Sequence, residues 1–198
     1  MLSDQDNELL TRVGPGTAMG ALLRRFWLPA LLPVQLPAPD CPPIRLRLLG
    51  EDLVAFRDSS GKIGILAAHC PHRGAPLYFG RNEECGLRCV YHGWKFDVAG
   101  TCVDMPSEPP DSDFKDKVTI AAYPVREWGG ILWTCMGPSD RIPELPALEW
   151  TTVPPSHRAV MSWLAECNWL QGLEGDLDTV HSMFLHSATD PTLRQSSR

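Results

Sequence analysis

Four residues in two short segments have the types and spacing to hold a metal centre. The segments Cys70-Pro-His72-Arg-Gly74 and Cys89-Val-Tyr-His92-Gly93 each offer one thiolate and one imidazole, and 16 residues separate His72 from Cys89. Two Cys and two His can hold a tetrahedral zinc ion, or a [2Fe–2S] cluster with both thiolates on one iron and both imidazoles on the other. Zinc knuckles usually pair like ligands, so the mixed segments favour iron and sulfur.

A second group of polar side chains lies in residues 168–186, which the apolar spacing predicts as one long amphipathic helix beginning near Asn168. We expect its apolar face to pack, and the neighbouring polar row carries Gln171, Glu174, Asp178 and His181. A solvated polar face is the simpler interpretation. However, Lys and Arg are absent from 159–193, and a row without cations favours a metal.

His181 and His186 are five residues apart, which places them about 140° apart on an ideal helix. Both can bind one ion only if the helix bulges or bends between them, a distortion often found at functional sites. Two His and one carboxylate on one face of an iron form the facial triad, which leaves positions open for O₂ and substrate.

The elements that must position these residues change along the chain. Residues 5–27 predict two short helices, and 29–43, with six of the Pro, predict an extended linker. From 44 to about 136, short runs with period two and frequent turns predict a small antiparallel β-sandwich or barrel. We therefore divide the chain into 1–43 (helices and linker), 44–137 (β domain), 138–158 (linker) and 159–198 (start of another domain).

Composition excludes several classes of function. The net charge is −6, with no Lys/Arg run, so neither nucleic acid nor an anionic membrane is an expected partner. The first ten residues lack the basic start of a signal peptide, and we expect a cytoplasmic protein. The seven Cys are then expected to be thiols, metal ligands or core residues rather than disulfides.

With their surroundings, the two loops resemble the Rieske family. Cys-x-His, 16 residues and Cys-x₂-His match its pattern, and further matches are Arg73, Gly74, Pro76, Leu77, Gly93 and Trp94. Respiratory-chain members carry an additional disulfide, at positions that correspond here to Ala75 and Tyr91. The resemblance therefore favours the oxygenase type, and implies that Cys70, His72, Cys89 and His92 bind a [2Fe–2S] cluster.

Residues 168–186 resemble the catalytic-iron helix of the α subunits of Rieske non-haem iron oxygenases. That resemblance implies that His181 and His186 bind a mononuclear Fe(II), and that Asp178 connects this iron to the cluster of a neighbouring subunit. The family's third iron ligand is an Asp far downstream. Asp190 is the sole carboxylate after His186 in this sequence and is a poor substitute.

The segments Asn7–Thr17 and Leu23–Pro29 further resemble the phthalate dioxygenase branch. Its members oxidise aromatic carboxylates and related compounds with O₂. The resemblance implies a homotrimer of α subunits, reduced by an NADH-dependent flavin and iron–sulfur reductase.

The resemblance implies an α+β fold: a small all-β Rieske domain, followed by the first helix of an incomplete catalytic domain of helix-grip type. We expect a truncated α subunit that binds the cluster but turns over poorly or not at all. Two alternatives stay open. A stand-alone Rieske ferredoxin would explain the loops but not the polar row, and a zinc-stabilised binding module would explain neither.

Overall fold

The computed structural model describes residues 2–186, in two units. The larger unit comprises residues 13–162, and the smaller one combines residues 2–12 with 163–186. The strands of the larger unit are β1 (Trp27–Leu31), β2 (Ile44–Leu48), β3 (Glu51–Arg57), β4 (Ile63–Ala67), β5 (Arg81–Glu83), β6 (Gly86–Arg88), β7 (Lys95–Phe96), β8 (Cys102–Asp104), β9 (Ala122–Tyr123), β10 (Val125–Trp128) and β11 (Ile131–Cys135).

These strands form three antiparallel sheets, with the orders β1-β11-β10, β2-β3-β4-β9 and β5-β6-β7-β8. Strand β3 is buried on both faces. Leu53 and Ala55 belong to a core cluster shared with β1 and β11, whereas Val54 and Phe56 belong to a cluster shared with β6 and β7. Because both faces are covered, β3 has an unbroken apolar run from Leu53 to Phe56, where a half-exposed strand would alternate. The predicted small antiparallel β domain is confirmed.

The interpretation of 29–43 as a linker is wrong at its start. Residues Trp27–Leu31 form strand β1, which lies at a sheet edge and pairs with β11. Pro29 is compatible with this strand because an edge position does not require its missing N–H, and the register shifts between Pro29 and Leu31. A short 3₁₀ turn, Pro33–Gln35, follows.

The two short N-terminal helices are confirmed as α1 (Asp4–Thr11) and α2 (Ala18–Leu23). Each begins at a hydroxyl side chain that accepts a hydrogen bond from a backbone N–H of the first turn: Ser3 caps α1 and Thr17 caps α2. Among the described residues, no helix is long and apolar enough to cross a membrane.

The prediction of one long helix in 168–186 is wrong. The segment forms α3 (Trp169–Leu177), a short α4 (Thr179–His181) and a π-helical turn (Ser182–His186). The break falls at Asp178, whose backbone is extended, with φ −80° and ψ 91°. Its carboxylate Oδ1 accepts hydrogen bonds from the N–H groups of Val180 (2.9 Å) and His181 (3.3 Å). A side chain that caps a new helix competes with continuation of the old one.

In the smaller unit, α3 docks on α1 through its first residues. The Asn168 side chain caps α3 with its oxygen and donates from its nitrogen to the Thr11 carbonyl (3.0 Å). The indole N–H of Trp169 donates to the Leu10 carbonyl (3.1 Å). The expected packing of the apolar face does not extend further among the described residues, since Leu177 is 71% exposed.

Candidate metal centre

The first predicted ligand loop follows β4 and is closed by two backbone hydrogen bonds. The N–H of Cys70 donates to the Ala75 carbonyl (2.9 Å), and the N–H of Gly74 donates to the Cys70 carbonyl (2.9 Å). Gly74 has φ +70°, a left-handed conformation that Gly adopts without strain. The loop therefore turns sharply enough to hold His72 beside Cys70.

The second loop follows β6 and repeats this construction. The N–H of Cys89 donates to the Trp94 carbonyl (2.8 Å), and the N–H of Gly93 donates to the Cys89 carbonyl (3.1 Å). Gly93 has φ +77°, and a Cβ there would lie 2.6 Å from Cγ of Pro106. Both ligand loops thus have Cys at the first position and Gly at the fifth. This similarity is visible in the sequence, where the two Gly stand at equal distances from the two Cys.

The structure brings the four predicted ligands together in two pairs. The rings of His72 and His92 have centroids 4.5 Å apart. Cys70 and Cys89 are neighbours in one core cluster, and each is only 3% exposed. Within residues 2–186, no three His, Cys, Asp or Glu side chains converge on one ion position. Pairs suit a two-iron cluster, in which each iron takes two protein ligands, better than one tetrahedral zinc ion.

The electrostatics of the loops fit a positively charged occupant. Burial, together with the neighbouring Cys89, raises the pKa of the Cys70 thiol to about 11, so the thiolate forms only when a cation binds and releases its proton. Burial, then His92 and Arg73, lower the pKa of His72 and favour the neutral imidazole that binds metals. Its Nδ1 atom is buried and has no hydrogen-bond partner among the described residues. These residues therefore fit a [2Fe–2S] cluster.

Arg88, the residue before Cys89, anchors the second loop. Its guanidinium donates to Glu83 Oε1 (2.6 Å), Asp104 Oδ2 (2.7 Å) and the Gly93 carbonyl (2.8 Å). Although burial opposes the charged form, the hydrogen bonds with the carboxylates raise the pKa of Arg88 and lower those of Glu83 and Asp104. Arg88 is not among the residues that the sequence patterns predicted for the site. The available signal was a cation at the end of a short strand that leads directly into a ligand loop.

The second predicted site depends on the π-helical turn. His181 and His186 have ring centroids 5.5 Å apart, with planes at 62°. A metal–nitrogen bond of about 2.1 Å places the ion roughly 3.2 Å from each ring centre, so rings up to about 6.4 Å apart can share one ion. The predicted distortion between the two His is present, and their spacing is compatible with one metal.

Asp178 lies next to His181 but does not complete a ligand set. Its Oδ2 is 3.5 Å from Nδ1 of His181, and the described residues contain no group of three that could hold an ion. Asp190, the weak candidate for a third ligand, lies outside the described residues. The polar row predicted for one continuous helix is divided at Asp178, with Gln171 and Glu174 exposed on α3.

The remaining thiols lie outside the two ligand loops. Cys102 and Cys135 are buried in the core, Cys85 and Cys167 are exposed, and Cys41 is intermediate.

Comparison with known proteins relates these loops to other chains. The family model of the Rieske [2Fe–2S] domain matches residues 26–124, half of the chain, and that of a LigXa C-terminal-like domain matches residues 134–197. In the solved structure of dicamba monooxygenase bound to 3,6-dichlorosalicylic acid, 48% of the chain superposes on 83% of this one, with a TM-score of 0.72 and 27% identity.

Two curated relatives extend the similarity beyond the β domain. The 3-chlorobenzoate-3,4-dioxygenase oxygenase subunit of Comamonas testosteroni is 52% identical over 94% of this chain. The phthalate 4,5-dioxygenase oxygenase subunit of Pseudomonas putida is 47% identical over 95% of it. The chain spans 43% of the length of each relative.

Proposed function

Because this chain belongs to the Rieske [2Fe–2S] family and is similar to the oxygenase subunits of 3-chlorobenzoate and phthalate dioxygenases, we propose that it is the electron-accepting part of a ring-hydroxylating oxygenase. When bound, a [2Fe–2S] cluster with two His ligands accepts and passes on single electrons at a higher potential than an all-Cys cluster. The observation that carries the proposal is the arrangement of two matched loops that present their ligands in like pairs.

The loop residues prepare the site before any metal binds. Cys70 and Cys89 would supply the thiolates, and their burial keeps water from the sulfur side. His72 and His92 would supply neutral imidazoles, and the buried Nδ1 of His72 is the nitrogen available for a metal. Closed backbone turns hold these side chains in place, so little conformational entropy is lost when the ligands engage.

His181 and His186 would hold a mononuclear Fe(II), in a site that leaves positions open for O₂ and substrate. Asp178 has two tasks in this proposal. Through Oδ1 it caps the helix that carries His181, and through Oδ2 it faces Nδ1 of the same His. A carboxylate in that position orients the imidazole and is available to connect it to the cluster of a neighbouring subunit.

The names of the curated relatives indicate the substrate class. Since 3-chlorobenzoate and phthalate are aromatic carboxylates, we propose an aromatic, carboxylated substrate that is oxidised with O₂. The partner would be an NADH-dependent flavin and iron–sulfur reductase, and the working assembly would be a homotrimer in the cytoplasm. Free thiols throughout the chain support such a reducing compartment.

Anaerobic reconstitution of the 198-residue chain with iron and sulfide tests the cluster. We expect two irons per chain and the EPR signal of a reduced Rieske centre, both abolished in Cys70→Ser. Cys102→Ser is the matched control, because this thiol is equally buried but lies outside the loops. A colourless protein with one zinc ion would instead select the zinc-binding alternative.

The second iron site is tested in the full-length subunit. We expect a third iron per chain, lost in His181→Ala and in His186→Ala, and substrate-dependent O₂ consumption with NADH and reductase. Two irons per chain in the wild type, unchanged in both variants, would make the protein a Rieske electron carrier.

A further inference from the structure

The indole of Trp94 joins the two ligand loops. Its carbonyl closes the second loop by accepting from the N–H of Cys89 (2.8 Å). Its ring extends to the first loop and stacks on His72, with centroids 4.5 Å apart and planes only 7° apart. Rotation of the imidazole would drive one ring into the other, so this contact restricts the plane of His72.

The two imidazoles have different supports. His92 contacts Tyr91, with ring centroids 3.9 Å apart and planes at 32°. Tyr91 is 64% exposed, whereas Trp94 is 6% exposed and belongs to the core cluster that also contains Cys70 and Cys89. His72 is therefore the ligand whose ring plane is fixed by the packed interior.

Trp94 also has a buried donor with no acceptor. Among the described residues, none accepts a hydrogen bond from its Nε1. Buried donors in folded proteins nearly always have a partner, so this N–H indicates an acceptor that the chain does not supply. The sulfides of a cluster bound beside Cys70 and Cys89 are such acceptors.

We propose that Trp94 is a positioning residue of the [2Fe–2S] site: its stacked ring sets the plane of His72, and its indole N–H donates to a sulfide of the bound cluster. This inference rests on the proposed cluster binding. A hydrogen bond to a cluster sulfur strengthens as the cluster gains an electron, so it raises the reduction potential. Trp94 thus acts on the redox properties through two separable features, a flat ring and a donor.

Two substitutions separate these features in the full 198-residue chain loaded with iron and sulfide. Trp94→Phe keeps a ring but removes the donor, and Trp94→Met keeps apolar bulk without a ring. Phe114→Leu is the control, because Phe114 makes an edge contact with Trp94 (ring centroids 6.1 Å apart) but is 44% exposed and lies outside the core cluster that holds Trp94. The readouts are iron per chain, the midpoint potential, and the nitrogen hyperfine coupling of the His ligands in the reduced state.

For Trp94→Phe we expect wild-type iron content and hyperfine coupling, with a tenfold smaller equilibrium constant for one-electron reduction, which is a potential 59 mV lower. For Trp94→Met we expect either loss of iron or, where the cluster is retained, the same fall in potential together with altered hyperfine coupling. Phe114→Leu should match the wild type in all three readouts.

Three results would overturn the proposal: a wild-type potential in Trp94→Phe, wild-type hyperfine coupling in Trp94→Met, or loss of iron in Trp94→Phe, which would reduce Trp94 to a core-packing residue. Failure of the wild type to bind a [2Fe–2S] cluster would refute the proposed function itself, and is seen before any variant is compared.

Discussion

Replacing Arg88 by Met removes the three hydrogen bonds of a buried guanidinium with little change in side-chain volume. Its guanidinium makes two bonds to carboxylates and one to the Gly93 carbonyl. A hydrogen bond to a charged group contributes about 1.5–3 kcal/mol, and a neutral one about 1 kcal/mol. Glu83 and Asp104 are 35% and 43% exposed, so water recovers part of the loss. We expect the free energy of unfolding to fall by about 3 kcal/mol, near the lower limit for breaking a buried ion pair.

Arg47→Met is the matched control. Arg47 bonds Asp52 at the same 2.7 Å distance that joins Arg88 to Asp104, but both side chains of this pair are more than half exposed. Such pairs contribute at most about 1 kcal/mol. The two Arg→Met variants should therefore differ by about 2 kcal/mol, roughly thirtyfold in the unfolding equilibrium constant.

The assay is anaerobic urea unfolding of the loaded chain, followed by circular dichroism for the fold and by visible absorbance for the cluster. For Arg88→Met we also expect the absorbance to be lost at lower urea than the ellipticity, because Arg88 holds the second loop through Gly93. If Arg88→Met and Arg47→Met were equally stable, the burial of Arg88 would add nothing to the strength of its hydrogen bonds, and the expected difference of about 2 kcal/mol would be refuted. Arg88→Lys, which keeps the charge without the fork of donors, should lie between Met and wild type.

Substitutions at Asp104, Gly93 and Asp178 probe the loops and the segment that carries His181. A hydrogen bond from Arg88 lowers the pKa of Asp104 in the folded protein. This bond therefore stabilises the fold above the pKa that Asp104 has in the unfolded chain, and the stabilisation fades as the pH falls below about 4. Asp104→Asn should thus lower the urea midpoint at pH 7 much more than at pH 3. Gly93→Ala should lose iron in reconstitution, since its Cβ would meet Pro106, whereas Gly172→Ala, with no atom within 4 Å, should not. In the full-length subunit, Asp178→Asn should keep the helix cap and cluster reduction while product formation collapses, and Asp178→Ala should also destabilise the helix by about 1 kcal/mol. Unchanged turnover in Asp178→Asn would remove the proposed connecting role.

The β domain and the cluster loops were predictable because their signals are local. In β2, Ile44, Leu46 and Leu48 alternate with two Arg, and the structure pairs this strand with β3 in one continuous register. In the loops, both backbone hydrogen bonds are made within the loop that contains the Cys and the Gly. Sequence therefore specifies these turns directly.

The helix break was not predictable from hydrophobic spacing alone. The apolar positions continue through Leu177 and Val180 as if one helix persisted. Asp178 interrupts it because its carboxylate bonds the N–H groups that the next turn would otherwise direct to backbone carbonyls. Hydrophobic periodicity depends only on side-chain polarity, so it contains no information about this competition for backbone donors. Periodicity placed the start of the helix near Asn168, but for the same reason it did not predict that the Asn168 side chain also bonds the end of α1.

The two candidate metal sites thus differ in where their determinants lie. The cluster site lies in two loops whose ligands and turns come from residues 70–94, packed on a core cluster that also includes Val54, Phe56, Leu66 and Ile120. The proposed iron site has two imidazole rings with centroids 5.5 Å apart across a π-helical turn, and no group of three metal ligands occurs among the described residues. Leu177 and Val180, on the apolar side of the same segment, are 71% and 60% exposed, and burying one such side chain contributes about 2 kcal/mol. A segment that covered this face would lie close enough to the two His to supply a carboxylate as well. Stability and iron binding of α3 and the π-helical turn should therefore be gained together, whereas the cluster loops need nothing beyond the β domain.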